Sequence, residues 1–281
     1  MSAPERYRCE VSKWQSGRGR PRERGNLVRL SSVVWLFLPL MAAAPAQAEC
    51  GPDALGTSRV LAVDPAANPR VGRKQFSATL PLEPREIVLT FDDGPWPGTT
   101  PKVLDALRKE CVKATFFVLG SNAVAYPDIL RRELAEGHTV AHHTWSHPLL
   151  SRMGTRAAQA EIDRGITAVE GVLYGKQVSQ PATPFFRFPG FAATPALLEA
   201  LARRGIVVFG ADFWASDWNP MSPQTELRLV LHRLDQAGRG IVLFHDTKRQ
   251  TAAMLPALLH ALKARGFRVV HVVPANPAGG R

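Results

Sequence analysis

From residue 86 to residue 273 the sequence alternates between short apolar runs and longer amphipathic stretches. A short run rich in Val, Ile and Phe reads as a strand buried on both faces, and an apolar stripe at helical spacing reads as a helix with one face in a core. Strands are expected over 87–91, 114–119, 139–141, 185–188, 206–209, 241–244 and 267–273. Helices are expected over 100–110, 128–136, 156–173, 195–204, 223–236 and 251–265. Pro101 suits a first helical turn, and Gly137, Gly205 and Gly266 follow helix ends. Such alternation defines the α/β class, with a parallel sheet and helices outside it. About seven repeats suit a (β/α) barrel that is incomplete, with chemistry on the loops that follow the strands.

The region ahead of this pattern reads differently. Residues 30–48, "LSSVVWLFLPLMAAAPAQA", carry no charge and follow Arg29. Ala46-Gln47-Ala48 has the small-x-small form of a signal-peptidase site, so cleavage is expected after Ala48, with export to the periplasm or the exterior. The alternative is a retained anchor, but Pro39 and Pro45 interrupt a stretch that is short for a span of ~20 residues. No stable membrane insertion is expected after cleavage. The basic region before the apolar stretch is long, which makes Leu27 or Val28 an alternative start of translation. The expected organisation is a basic leader plus signal peptide over 1–48, an irregular arm over 49–84, the alternating domain over 85–275 and a tail over 276–281. The arm is punctuated by Pro52, Pro65, Pro69, Pro81 and Pro84, with a strand near 59–63. Cys50 and Cys111 either pair in an oxidising compartment or remain two thiols.

The formal net charge is +11, and the segment up to Arg29 supplies +5 of it. The moderately basic remainder is compatible with an acidic polymer and does not single out nucleic acid. No helix-turn-helix, zinc-finger or RNA-binding signature is present, so nucleic acid is not an expected partner.

The unusual polar residues all fall after expected strands. Asp92 and Asp93 follow the first, His142, His143 and His147 the third, and Arg187 ends "FFRF". Asp212, Asp217 and Trp218 follow the strand at 206–209, and His245 and Asp246 follow "IVLF". A barrel would gather them on one face. Two histidines and one carboxylate form a familiar zinc set with a position open for water, although a His pair alone is more often structural. Adjacent aspartates repel, and a metal on one of them would offset that cost while leaving the other as a general base. The spacing disfavours a phosphatase that uses aspartates one residue apart.

"TFDDGP" (90–95), "HTWSHP" (143–148), "RFPG" (187–190), Asp217-Trp218 and "LFH" (243–245) occur in that order. Together they resemble the NodB-type polysaccharide deacetylases, carbohydrate esterase family 4, over residues 86–273. The resemblance implies a distorted (β/α) barrel and a metal-dependent hydrolase that removes N-acetyl groups from an amino-sugar polymer or oligosaccharide, such as a chitooligosaccharide or a peptidoglycan-like glycan. It implies Asp93, His143 and His147 as ligands of one divalent metal, Zn²⁺ or a similar ion such as Co²⁺. It implies Asp92 as general base, His245 as general acid, Arg187 as the residue that orients the base, and Asp217 as the acid that tunes His245. Trp218 and Leu243 would wall the acetyl pocket, and the Gly190 N–H would face the oxyanion. The alternatives are an O-deacetylase of an acetylated polysaccharide and a catalytically silent carbohydrate-binding relative.

The sequence departs from the family pattern at two places in the site. Gly190 stands where the family has an aromatic residue, with Phe191 beside it to fill the space. The family spacing Asp-x-x-Asp-Trp is replaced by "DFWASDW", which leaves either Asp212 or Asp217 to contact His245. His142 is expected to be structural, and His138 to lie in a loop. Trp96, Trp145 and Trp214 flank the motifs, either to stack on sugar rings or to pack.

Overall fold

The computed structural model describes residues 50–175 and 180–275. The leader and signal peptide expected over 1–48 and the tail over 276–281 lie outside the described residues. In chain order the elements are β1 (Thr57–Val63), β2 (Arg70–Val71), β3 (Glu86–Asp92), α1 (Thr100–Lys109), β4 (Thr115–Val118), α2 (Gly120–Ala125), α3 (Pro127–Ala135), β5 (Thr139–His142), α4 (Thr155–Tyr174), β6 (Phe185–Phe186), α5 (Pro195–Arg203), β7 (Val207–Phe209), β8 (Phe213–Trp214), α6 (Pro223–Ala237), β9 (Gly240–His245), α7 (Arg249–Ala264) and β10 (Arg268–Pro274).

Every strand pairing is parallel. The order is β1-β10-β3-β4-β5-β6-β7-β2, and β9 pairs both β3 and β8. No pairing among the described residues joins β2 to β8, so the sheet does not close. The class is α/β, with the parallel sheet of an open, distorted (β/α) barrel.

The expected elements recur with ends shifted by a residue or two, which is where helix ends fray and assignments differ. Differences of substance lie elsewhere. Within residues 49–84 the strand expected near 59–63 is present as β1, which runs along β10, and a further strand, β2, pairs β7. The prolines in this region hide strands whose partners lie far away in the chain. Helix α2 and strands β2 and β8 were not expected. "GSNAVA" has no apolar stripe, and a two-residue strand has no period to read. Only Phe185–Phe186 of the run at 185–188 is strand, because Phe188 leads into a tight turn at Pro189.

Side chains from successive strands fill the centre of the sheet: Val88, Phe117, Ala141, Phe185, Phe209 and Ile241 are all buried in one cluster. A second apolar layer packs β3 and β4 against α1 and α7 through residues such as Leu104, Phe116, Leu255 and Leu258. Capping residues define several helix ends. Ser222 accepts a hydrogen bond from the Thr225 N–H at the start of α6, and Gly238 ends that helix at φ 69°. Cys50 and Cys111 form a disulfide that ties the first described residue to the turn after α1.

Candidate active site

The register of the sheet assembles the site. Asp92, the last residue of β3, lies opposite His245 of β9 and Phe117 of β4. All seven residues of β3 are buried, so Asp92 is withdrawn from water. Asp93 then leaves the strand at φ 76°, a left-handed conformation that aspartate tolerates better than most residues. The Asn122 side chain holds this turn through the Asp93 carbonyl at 2.7 Å. Gly94 is required next: a Cβ there would lie 2.1 Å from Oδ2 of the buried Asp246.

After β5 the backbone also enters the left-handed region, at Thr144 (φ 71°) and His147 (φ 64°), so a tight loop and not a helix converges the two histidines. Their Nε2 atoms lie 3.6 Å (His143) and 3.4 Å (His147) from Oδ1 of Asp93. Nδ1 of His143 is 2.7 Å from the Arg187 carbonyl, which places the ring proton on Nδ1 and leaves the Nε2 lone pair free. Burial, the largest influence on His143, lowers its pKa to about 3 and keeps it neutral. Oδ1 of Asp93 is buried with no hydrogen-bond partner. One ligand atom from each of Asp93, His143 and His147 lies within 4.8 Å of the others. A buried carboxylate oxygen facing two imidazole Nε2 atoms suits a divalent cation.

Arg187 is fully buried. Its Nη1 donates to Asp92 Oδ1 at 2.6 Å and to Thr90 Oγ1 at 2.9 Å, and its other nitrogens reach the carbonyls of Phe209 and Gly210. The guanidinium also stacks 4.1 Å from the centre of the Phe117 ring. Burial raises the Asp92 pKa, and the charge and hydrogen bond of Arg187 oppose that rise without cancelling it. The result is a carboxylate more basic than usual and held in one orientation.

On the other side of Asp92, His245 Nδ1 lies 2.8 Å from Asp217 Oδ1, and the His245 backbone N–H donates to Asp217 Oδ2 at 2.7 Å. Asp217, not Asp212, contacts His245. Asp212 instead binds Thr79 and the backbone N–H groups of Arg73 and Ile241, a structural role at the far end of β9. Burial alone would lower the His245 pKa. The hydrogen bond and charge of Asp217, with Asp93 and Asp92 adding, raise it to about 9. Nε2 of this imidazole is 3.9 Å from Asp93 Oδ2.

The rim residues are placed less tightly. The Trp218 ring lies 6.0 Å from that of His245, and Leu243 is buried two residues before His245. Gly190 is exposed at φ 56°, and a Cβ there would lie 2.9 Å from Leu149 Cδ2. Phe191 stacks on Trp214 at 6.1 Å. Trp145 packs beneath the Arg164 guanidinium and Trp96 against Tyr126. His142 is buried 3.5 Å from Glu170, and His138 Nδ1 accepts from the Ala114 N–H.

Sequence reasoning missed Thr90, Thr251, Gln250 and Glu226. The Thr251 hydroxyl lies 2.8 Å from Asp217 Oδ2, and Gln250 donates to the Asp217 carbonyl. Glu226 lies behind Thr251 at 2.9 Å. Glu226, Gln250 and Thr251 lie in helices, where a polar residue carries no local sign of the partner it will meet, whereas Thr90 lay within the "TFDDGP" motif and was passed over.

An open parallel barrel with a buried Asp–Arg pair and an Asp–His pair at one mouth suits a hydrolase, and its His₂Asp donor set is compatible with a divalent metal. The profile of the polysaccharide deacetylase family matches residues 80–209. The chain is 35% identical over 206 residues to a chitooligosaccharide deacetylase of Bradyrhizobium sp., covering 68% of this chain and 90% of the relative. It is 35% identical over 188 residues to the peptidoglycan-N-acetylglucosamine deacetylase PgdA of Listeria monocytogenes, covering 67% of this chain. The chain spans only 38% of the length of that relative. Among solved structures, the peptidoglycan deacetylase of Bdellovibrio bacteriovorus superposes with a TM-score of 0.70 at 30% identity, covering 81% of this chain and 62% of that one. The peptidoglycan deacetylase PdaC of Bacillus subtilis gives 0.59 at 34% identity, covering 68% and 89%. The chain belongs to the NodB-type polysaccharide deacetylase family.

Proposed function

We propose that this protein is a metal-dependent hydrolase that removes N-acetyl groups from an amino-sugar glycan of the chitooligosaccharide or peptidoglycan type. The observation that carries this reading is the convergence of Asp93, His143 and His147 between two oriented pairs, Asp92–Arg187 and Asp217–His245. Asp93, His143 and His147 would hold the ion, Zn²⁺ or Co²⁺. When bound, a divalent ion supplies Lewis acidity that polarises the acetyl carbonyl and acidifies water.

The chain's own residues do the rest. Asp92 accepts the proton of the attacking water through the oxygen that Arg187 leaves free. Arg187 fixes the rotation of that carboxylate. His245 enters protonated and delivers its Nε2 proton to the departing amine nitrogen, while Asp217 holds Nδ1. The Gly190 N–H faces the developing oxyanion, a donor of a kind whose loss costs roughly 3 kcal/mol. Trp218 and Leu243 flank the acetyl methyl group.

Residues 1–48 would direct export to the periplasm or exterior, and the Cys50–Cys111 disulfide supports an oxidising compartment. No helix among the described residues is long and apolar enough to cross a membrane.

Acetate release by the purified protein from N-acetylated chitooligosaccharides and from peptidoglycan fragments tests the reading. Wild type should release acetate and Asp92→Asn should lose most turnover while still binding metal. No release from either substrate class, or undiminished turnover in D92N, would overturn it.

A further inference from the structure

Behind the Asp217–His245 pair lies a buried contact that the proposed reaction does not use. The Thr251 hydroxyl sits between two carboxyl groups, 2.8 Å from Asp217 Oδ2 and 2.9 Å from Glu226 Oε1. Thr251 and Glu226 are fully buried and Asp217 nearly so. A hydroxyl has one proton to donate and two lone pairs. If both acids were ionised, one carboxylate oxygen would face a bare hydroxyl lone pair at hydrogen-bond distance. One of the acids must therefore carry a proton. Asp217 already faces two donors of His245, its backbone N–H and Nδ1, so the place for that proton is Glu226. Glu226 has no such donor, and its Oε2 is buried without a partner.

We propose that Glu226 is a positioning residue that enters the site as a neutral carboxylic acid, donating to the Thr251 hydroxyl, which in turn donates to Asp217. The donors then run from Glu226 on α6 through Thr251 on α7 to Asp217, where they meet the two donors of His245, its backbone N–H and Nδ1–H. The chain fixes Asp217 Oδ2 on Thr251 and the His245 backbone, which leaves Oδ1 to orient the imidazole. The charged groups acting on Glu226 are Asp217, which disfavours its ionisation, and His245, which favours it. Burial is the largest influence and raises its pKa to about 7.

This inference rests on the proposed role of His245, but its first test needs no turnover. The infrared difference spectrum of wild type minus Glu226→Gln at pH 6 should show the carbonyl stretch of a protonated acid. Its absence would mean that Glu226 is ionised and would overturn the proposal. Gln retains a donor toward Thr251, so E226Q should lower kcat less than Thr251→Val, which should lower it roughly tenfold with KM unchanged. An E226Q loss equal to that of T251V, or an unaffected T251V of native melting temperature, would also overturn it. A protein that shows the acid band but releases no acetate from any substrate would refute the activity and not the proton placement.

Discussion

Arg187 Nη1 donates to Asp92 Oδ1 at 2.6 Å, and both side chains are shut off from water. A buried ion pair gains little net stability over an apolar substitute, yet removal of one member leaves a charge with no compensation. Thr90 and two backbone carbonyls satisfy the rest of the guanidinium, so the pair reads as a device for placing Asp92 rather than for holding the fold.

Arg187→Met should therefore destabilise the fold by roughly 3 kcal/mol, and the Asp92 pKa should rise further. Urea denaturation of the variant checks the first point. A rate profile whose acid limb moves to higher pH checks the second.

His245 is raised to about 9 by Asp217, against the effect of burial. In its proposed role as proton donor it is competent below that value, so turnover should fall as pH rises through about 9. Asp217→Asn should move this alkaline limb downward, toward the ordinary histidine range. The stability effect has the same sign: a folded pKa above the unfolded one contributes stability that is complete below the unfolded value and lost as pH rises through the folded value. Kinetics in overlapping buffers and melting temperatures from pH 6 to about 10 would read both.

Chelation should abolish acetate release, and Zn²⁺ or Co²⁺ should restore it. His147 is partly exposed, so His147→Ala should fold while losing most of its affinity for the ion. Calorimetric titration of Zn²⁺ into the chelated protein measures this without substrate. Unchanged affinity in H147A would remove His147 from the ligand set.

The Cys50–Cys111 bridge closes a separation of 61 residues. Reduction, or Cys111→Ser, should lower stability by up to about 4 kcal/mol through loop-closure entropy. The melting temperature of the oxidised protein compared with that of the variant checks this.

Much of this protein is set by local sequence. The apolar runs at 87–91 and 241–244 and the amphipathic stretches between strands have the lengths and periods that specify strand and helix, and motif order alone brought Asp92, Asp93, His143, His147 and His245 together as candidates. The choice between Asp212 and Asp217 was not local. Both follow β7 within a few residues, and only the pairing of β8 with β9 carries Asp217 to His245 and leaves Asp212 at the opposite end of β9. The pairing of Cys50 with Cys111 likewise depended on the start of β1 lying against the turn after α1, where the Gly56 N–H donates to the Glu110 carbonyl and the Thr57 hydroxyl to that of Cys111. Glu226 and Thr251 were invisible for the same reason. Period and propensity act over one turn or one pleat, whereas burial of a polar side chain, its partner and its protonation are decided by elements that meet only when the sheet and its helices pack.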